Sequence, residues 1–343
     1  MSNTFGKLLT LTTFGESHGT ATGGILTGLP AGVAIDVARI QAQLDRRRPG
    51  QSALTTSRNE ADAVQLLSGI MDGVSLGTPI GFTIANTNQH SADYEAMRHV
   101  YRPGHADFTY DAKYGRRDHR GGGRASARET AARVVGGAIA TQLLEKEGVA
   151  ITARVAEVGG IVNTTAEGLD ERCQQAVLSA KAAGDSIGGI VECRATGVPA
   201  GLGEPVFGKL QAVLAAAMMS IPAAKGFEYG MGFAGASKHG SEVIDTWVAY
   251  PADVRGMHAA ANHSGGIQGG ISNGEDIVMR VAFKPTATLL RDVDTCNDAG
   301  EAVTLHARGR HDPCVAIRAV PVVEAMAALA IADAWLLNRT AKL

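Results

Sequence analysis

The chain has 343 residues, 45% of them hydrophobic, and its 32 Lys plus Arg against 34 Asp plus Glu leave a formal net charge of -2. That balance excludes a protein that coats nucleic acid or anionic lipid, and the apolar content excludes a disordered chain, so any basic site is local. At ~150 residues per domain the length allows two domains, but no Pro/Ser-rich or charged linker divides it, and residues 1–343 read as a single unit.

Residues 1–11 lack a basic stretch followed by a long apolar one and do not read as a signal peptide. Residues 21–29 have the pattern of a short strand. Asp36 then caps a helix carrying Ala38, Ile40 and Leu44, which runs into Arg46-Arg47-Arg48 and ends at Pro49-Gly50; its basic end suits the helix dipole. Residues 80–86 form the next predicted strand. After Gly121-Gly122-Gly123, apolar residues recur at helical spacing over residues 124–147, stopping at Gly148. Strands are predicted over residues 189–196, 277–283 and 314–318, and a helix over residues 321–338 with Pro321 near its first position. The apolar stretch 325–337 is interrupted by Asp333 and falls short of the ~18 to 20 residues that cross a bilayer. Helices and strands do not alternate as βαβ units do, which favours α+β with antiparallel sheets over a doubly wound fold. Residues 68–87 and 264–286 share a glycine turn, a strand and a proline-containing end, a hint of two similar halves. Cys173, Cys193, Cys296 and Cys314 form no C-x-x-C pair, which fits a reducing, cytoplasmic setting.

The chemistry concentrates in a few segments. Residues 102–133 hold Arg102, Lys113, Arg116, Arg117, Arg120, Arg124, Arg128 and Arg133 around the glycine run. Glycine N–H groups and a helix opening near Arg124 make an anion cradle for phosphate or carboxylate; the alternative is a solvated basic helix face. His18 and His105 each lie in a glycine-bearing loop where an imidazole can move protons, though a single such histidine is more often an ordinary loop or core residue. Gly15-x-Ser17-x-Gly19 matches a nucleophile elbow only weakly, because the run after it resumes as strand where a helix is required. Asp312, in Gly309-Arg310-His311-Asp312-Pro313-Cys314, reads as a paired acid or base, or as a salt bridge; the spacing matches no zinc pattern, and no metal is expected. The glycine-rich stretch 265–274, followed by Lys284, is not a Rossmann fingerprint, and is either a backbone ligand loop or a tight turn.

Six runs, in order, resemble the chorismate synthase family: Thr12-Thr13-Phe14-Gly15-Glu16-Ser17-His18-Gly19, Asp45-Arg46-Arg47-Arg48-Pro49-Gly50, Tyr101-Arg102-Pro103-Gly104-His105-Ala106-Asp107, Arg120-Gly121-Gly122-Gly123-Arg124, Gly197-Val198-Pro199-Ala200-Gly201-Leu202-Gly203 and the run ending at Cys314. The resemblance covers roughly residues 5–338. It implies a lyase converting 5-enolpyruvylshikimate 3-phosphate to chorismate by 1,4-anti elimination of phosphate, the last step of the shikimate pathway toward aromatic amino acids. It also implies reduced FMN without net redox, an association with NADP, and an external flavin reductant, no reductase segment being evident.

By the same resemblance His18, near the leaving phosphate, and His105, near the flavin, act with Asp312 in catalysis. FMN contacts fall on Arg124, Ala125, Ser126, Gly269, Lys284, Pro285, Thr286, Ala287, Thr288 and Arg310, and substrate contacts on Arg46, Arg47 and Arg48. Ala53 stands where some relatives carry a basic residue, and Ala125 where many have serine. The implied fold is a helical layer between antiparallel sheets, assembled as a homotetramer. A phosphate-monoester hydrolase using Ser17 or His18, and an RNA-binding protein using the Arg/Gly tract 116–124, are the readings from other classes; such tracts usually sit in low-complexity tails with aromatic stacking partners. No nucleic-acid or membrane partner is expected.

Overall fold

The computed structural model describes residues 3–56, 60–87, 94–95, 97–306 and 311–342. A small hairpin, a sheet strand and a long helix come in that order in each half of the chain. In the first half β1 (Thr10–Phe14) and β2 (Ala21–Thr27) lead to α1 (Val37–Arg47) and β3 (Val64–Leu66), then to a small hairpin of Ile70–Met71 and Val74–Ser75. β4 (Ile80–Ala85) follows, then α2 (Asp107–Tyr114) and the long helix α3 (Thr130–Glu145). The second half runs β5 (Ala150–Val158), α4 (Glu171–Ala182), β6 (Gly189–Thr196), α5 (Leu210–Met219) and β7 (Ala224–Tyr229). A hairpin of Ile267–Gln268 and Ile271–Ser272 again precedes a strand, β8 (Ile277–Phe283). After the hairpin of β9 (Asp292–Cys296) and β10 (Ala302–His306) comes the second long helix, α6 (Ala316–Asn338). Residues 68–87 and 264–286 each hold a small hairpin followed by a sheet strand.

The first sheet orders Thr4–Phe5, β1, β2, β4, β3; the second orders β7, β8, β6, β5, Ile161–Val162. Neighbours in both are antiparallel, as in Ala21↔Ala85 between β2 and β4 and Gly189↔Phe283 between β6 and β8. Every second residue of β8, from Ile277 to Phe283, is buried, so one face of the sheet is turned to the helices. α3 packs on the first sheet and α6 on the second, and the two helices pack on each other, giving an α+β sandwich with its core in the helical layer. A Cβ on Gly137 would lie 2.3 Å from the Ala325 Cα, so α3 and α6 cross backbone to backbone and only glycine fits there. α6 has the length and apolarity of a membrane span, but 67% of its apolar window is buried inside the protein, as befits a core helix. Its Asp333 accepts the backbone N–H groups of Lys7, Leu8 and Leu9 at 2.9, 2.7 and 2.9 Å, tying the N-terminal segment to the core.

Two boundaries differ from the sequence expectation. α3 starts at Thr130, not at Arg124: two short 3-10 turns, Gly123–Ala125 and Ala127–Glu129, precede it. Ser126, extended at φ -73° and ψ 146°, separates them, and its hydroxyl accepts the Arg128 N–H. The helix dipole therefore acts deeper than a cradle at the glycines would require. Residues 314–318 are not a strand but the entry to α6, which places Pro321 inside the helix, where it lacks a backbone donor. A short apolar run has no period by which strand and helix can be told apart.

Candidate functional site

A cavity of about 320 Å³ lies where the β4–α3 connection faces the β8–α6 connection. The first contributes Arg102, His105, Gly121, Ala125, Ser126 and Arg128; the second contributes Lys284 with the small residues that follow it, and Asp312. The β1–β2 turn brings in His18, the end of α1 brings Arg47, and α6 brings Arg318. Arg47, Arg102, Arg128, Lys284 and Arg318 outnumber the lining carboxylates Glu60 and Asp312. The wall is cationic in a protein that is nearly neutral, which focuses field on an anionic guest.

Both histidines are held against the glycine run. His18 Nδ1 is 3.1 Å from the Ser17 hydroxyl, and its ring meets Tyr94 edge-on with centroids 5.0 Å apart. A Cβ on Gly121 would fall 2.1 Å from His18 Cε1, and one on Gly122 would fall 2.9 Å from His105 Cε1. At φ +73° and +121° the two glycines also adopt backbone conformations that side chains resist. The glycines thus let the backbone close on the imidazoles. Beyond the cavity, His105 Nδ1 lies 2.9 Å from Asp107 Oδ1, and Arg102 grips the same carboxylate through Nη2 at 2.7 Å and Nε at 2.8 Å. Burial opposes ionisation of Asp107, but the bonds from Arg102 and His105 outweigh it and hold the carboxyl well below the usual range.

Arg47 and Arg128 converge on Asp62. Arg47 Nη1 donates to it at 2.5 Å, Nε to Thr130 Oγ1 at 3.1 Å and Nη2 to the Ala127 carbonyl at 2.8 Å. Arg128 Nη1 contacts Asp62 and, at 2.9 Å, Glu60, while its Nε donates to Asn86 at 2.7 Å. Burial would raise the Asp62 carboxyl, yet the two guanidiniums win and lower it. Burial and the neighbouring cations Arg318 and Arg128 bring Arg47 down to about 10, so it remains a cation at neutral pH. Desolvation and the nearby Lys225 also lower Lys284, whose Nζ donates to the Gly104 carbonyl at 2.5 Å and so ties the two connections together. Asp312 accepts the Thr56 N–H at 3.1 Å and Arg318 Nη1 at 2.5 Å, and its backbone carbonyl accepts the Thr286 hydroxyl at 2.8 Å.

Of the residues expected at the site, His18, His105, Asp312, Arg47, Ala125, Ser126, Lys284, Pro285, Thr286, Ala287 and Thr288 line this cavity. Arg46 and Arg48 are not among its lining, because a helix turns ~100° per residue and Arg47 takes the inward position. Arg46 pairs with Glu324 at 2.5 Å, and Arg48 is half-exposed with Asp45 at 3.9 Å. Arg124 is turned to Thr13 Oγ1, at 2.6 Å, and to the Gly15 carbonyl. Gly269 sits exposed at the tip of the 267–272 hairpin, away from the cavity lining. Arg310 lies outside the described residues. Near Ala53, Lys181 binds the Ala53 carbonyl at 2.6 Å and so braces the loop that carries Thr56. Within the Arg/Gly tract the Arg117 side chain is buried on Asp111, while Arg116 and Arg120 are exposed and Arg120 pairs with Asp118. Among the described residues no group of three or more His, Cys, Asp or Glu could hold a metal ion.

Sequence reasoning missed Glu60, Asp62, Arg318 and the tie from Asp107 to His105. Asp107 stood inside a quoted motif, and the acids at 60 and 62 were the counter-charges that buried arginines demand.

A cationic cavity lined by His18, His105, His311, Glu60 and Asp312, set between two halves of a helix-filled double sheet, defines an enzyme acting on an anionic substrate. A family model described as chorismate synthase matches residues 9–336. The chain is 54% identical to a chorismate synthase of Bacteroides fragilis (strain YCH46), covering 100% of both proteins, and 53% identical to one of Azobacteroides pseudotrichonymphae genomovar. CFP2, covering 98% of this chain and 99% of the relative. A crystal structure of chorismate synthase aligns with TM-score 0.74 at 30% identity over 97% of this chain and 93% of that one. The chain belongs to the chorismate synthase family, lyases of the last shikimate-pathway step.

Proposed function

We propose that the cavity converts 5-enolpyruvylshikimate 3-phosphate to chorismate and phosphate by a 1,4-anti elimination that needs reduced FMN. The observation that carries this reading is the convergence of His18, His105, Asp312 and five cations from both halves on one cavity. The donor set fits a flavin phosphate and an anionic substrate: guanidiniums fixed by buried acids need no reorganisation when charge develops. The short side chains of Ala125, Ser126 and residues 285–288 leave room for a flat ring beside backbone. Reduced FMN, when bound, supplies an electron-rich ring with a basic nitrogen and undergoes no net oxidation.

The residues divide the remaining work. His18, supported by Ser17, donates a proton to the departing phosphate. His105 holds a proton near the flavin. Asp312, kept in place by Arg318 and Thr56, would offer its carboxylate to the ring nitrogen of a bound flavin as an acceptor of a hydrogen bond or proton. Arg47 and Arg128 receive the substrate's anionic groups. Arg124, Gly269 and Arg310 are kept as flavin contacts on the resemblance alone, and Arg46 and Arg48 as long-range attraction.

The reading includes a cytoplasmic homotetramer supplied with flavin by a separate NADP-linked reductant. Four free cysteines support a reducing compartment, and Phe207, Phe233 and Val254, all strongly exposed, support burial against further copies. Anaerobic incubation with reduced FMN and substrate should yield chorismate; folded protein that forms none overturns the reading.

A further inference from the structure

We propose that Asp107 is a positioning residue for the reaction, one that fixes His105 with its proton on Nδ1 so that Nε2 is the nitrogen offered at the cavity. The proposal rests on the role given to His105 above. Asp107 is not part of the cavity lining, and it is only 4% exposed. Its Oδ1 accepts from His105 Nδ1 at 2.9 Å and from Arg102 Nη2 at 2.7 Å; its Oδ2 accepts from Arg102 Nε at 2.8 Å and from the Arg102 backbone N–H at 3.0 Å. With both oxygens engaged, the carboxylate cannot swing away from the ring.

An ionised carboxylate only accepts hydrogen bonds, so the imidazole nitrogen facing it must carry the proton. The carboxyl is held well below its usual range, which keeps it ionised wherever the enzyme works. On the other side, the place a Gly122 Cβ would occupy is 2.9 Å from His105 Cε1 and 3.0 Å from Nε2, so the glycine backbone closes the slot that holds the ring. An asparagine at position 107 would keep the shape but could satisfy either tautomer. In a serine-protease triad the same change leaves the geometry intact and costs about 10⁴-fold in turnover, because the imidazole takes the wrong tautomer.

The test combines spectroscopy with a double-mutant cycle. In ¹⁵N-histidine-labelled protein, with the His105 signals assigned by their loss in His105→Gln, neutral His105 should carry its proton on Nδ1; in Asp107→Asn that preference should be lost. Turnover of Asp107→Asn should fall roughly 10- to 1,000-fold with KM changed less than about threefold, as expected for disturbed acid/base chemistry. On a His105→Ala background the same substitution should cost less than about threefold, since an effect exerted through His105 has nothing left to act on. A proton on Nε2 in the unsubstituted protein overturns the proposal even if Asp107→Asn fails to fold. So does an equal loss on both backgrounds, which would make Asp107 a purely structural partner of Arg102. The tautomer is read without substrate or flavin, so a failure of the elimination reading leaves this measurement standing.

Discussion

The β4–α3 and β8–α6 connections occupy equivalent places in the two halves and face each other across one cavity, yet they are built from different chemistry. The first sets arginines on buried acids: Arg102 on Asp107, and Arg128 on Asp62 of the α1–β3 loop, an acid that Arg47 at the end of α1 also holds. The second offers short side chains, one lysine and one carboxylate, and Arg318 on α6 pins that carboxylate. Two facing loops thus line one cavity, and the most deeply buried ion pairs lie on the side of the first. The first wall is suited to holding phosphate and carboxylate. The second is suited to letting a flat ring lie against backbone.

If the first wall depends on its buried acids, Asp62→Asn should be the most damaging change to stability. Arg47 and Asp62 have side chains 2% and 0% exposed, and leaving a buried charge unpaired costs about 3 to 5 kcal/mol. Urea unfolding at pH 7 should show a loss of that size. The Asp62 carboxyl is lowered in the folded state, so its stabilisation is present above the unfolded value of ~3.9 and is lost as pH falls through the folded one. The gap between the variant and the unsubstituted protein should therefore narrow below about pH 4. A variant as stable as the parent at pH 7 would break the contrast between the walls.

On the second wall, Asp312→Asn should keep the fold and bind both ligands yet lose turnover by about two orders of magnitude, since it cannot ionise. A ring-deuterated substrate should then show a larger isotope effect as the proton step becomes more rate-limiting. Near-normal turnover would reduce Asp312 to the anchor of Arg318. His18→Ala should cost roughly 10- to 1,000-fold, most at high pH where solvent protons are scarce. A ratio to the parent rate that stays constant with pH would show that His18 only positions the substrate.

What could be read beforehand follows from what a linear sequence carries. β6 and β8 were placed to the residue, because glycine and proline punctuate apolar runs of strand length. The helices α2, α4 and α5 were not, since their apolar stripes are short or diffuse and tertiary packing sets their limits. The cavity histidines and Asp312 stood in unusual local motifs. Asp62 and Arg318 meet Arg47 and Asp312 only through the fold. Burial of Arg47 alone among three consecutive arginines follows from the rotation of α1, whose Ile40 and Leu44 define the inner face.

That last point gives the smallest expected effect and the finest division between wall and surface. The Arg46 side chain is 44% exposed, and its ion pair with Glu324 is of the partly solvated kind worth about 0 to 1 kcal/mol. Glu324 also accepts the Ala153 N–H at 2.9 Å, so it keeps a partner when Arg46 is removed. Arg46→Ala should therefore leave stability within about 1 kcal/mol of the parent and raise KM less than about threefold, the share left to long-range attraction. Arg47→Ala removes a cation from the cavity wall and should raise KM more than about tenfold, the scale of one charge-assisted hydrogen bond lost. The comparison is best made at low and high salt, because attraction at a distance is screened while a contact inside the cavity is much less so. If Arg46→Ala raised KM as much as Arg47→Ala at both salts, the substrate would have to reach past the α1 terminus, and the cavity would be only the inner part of the site.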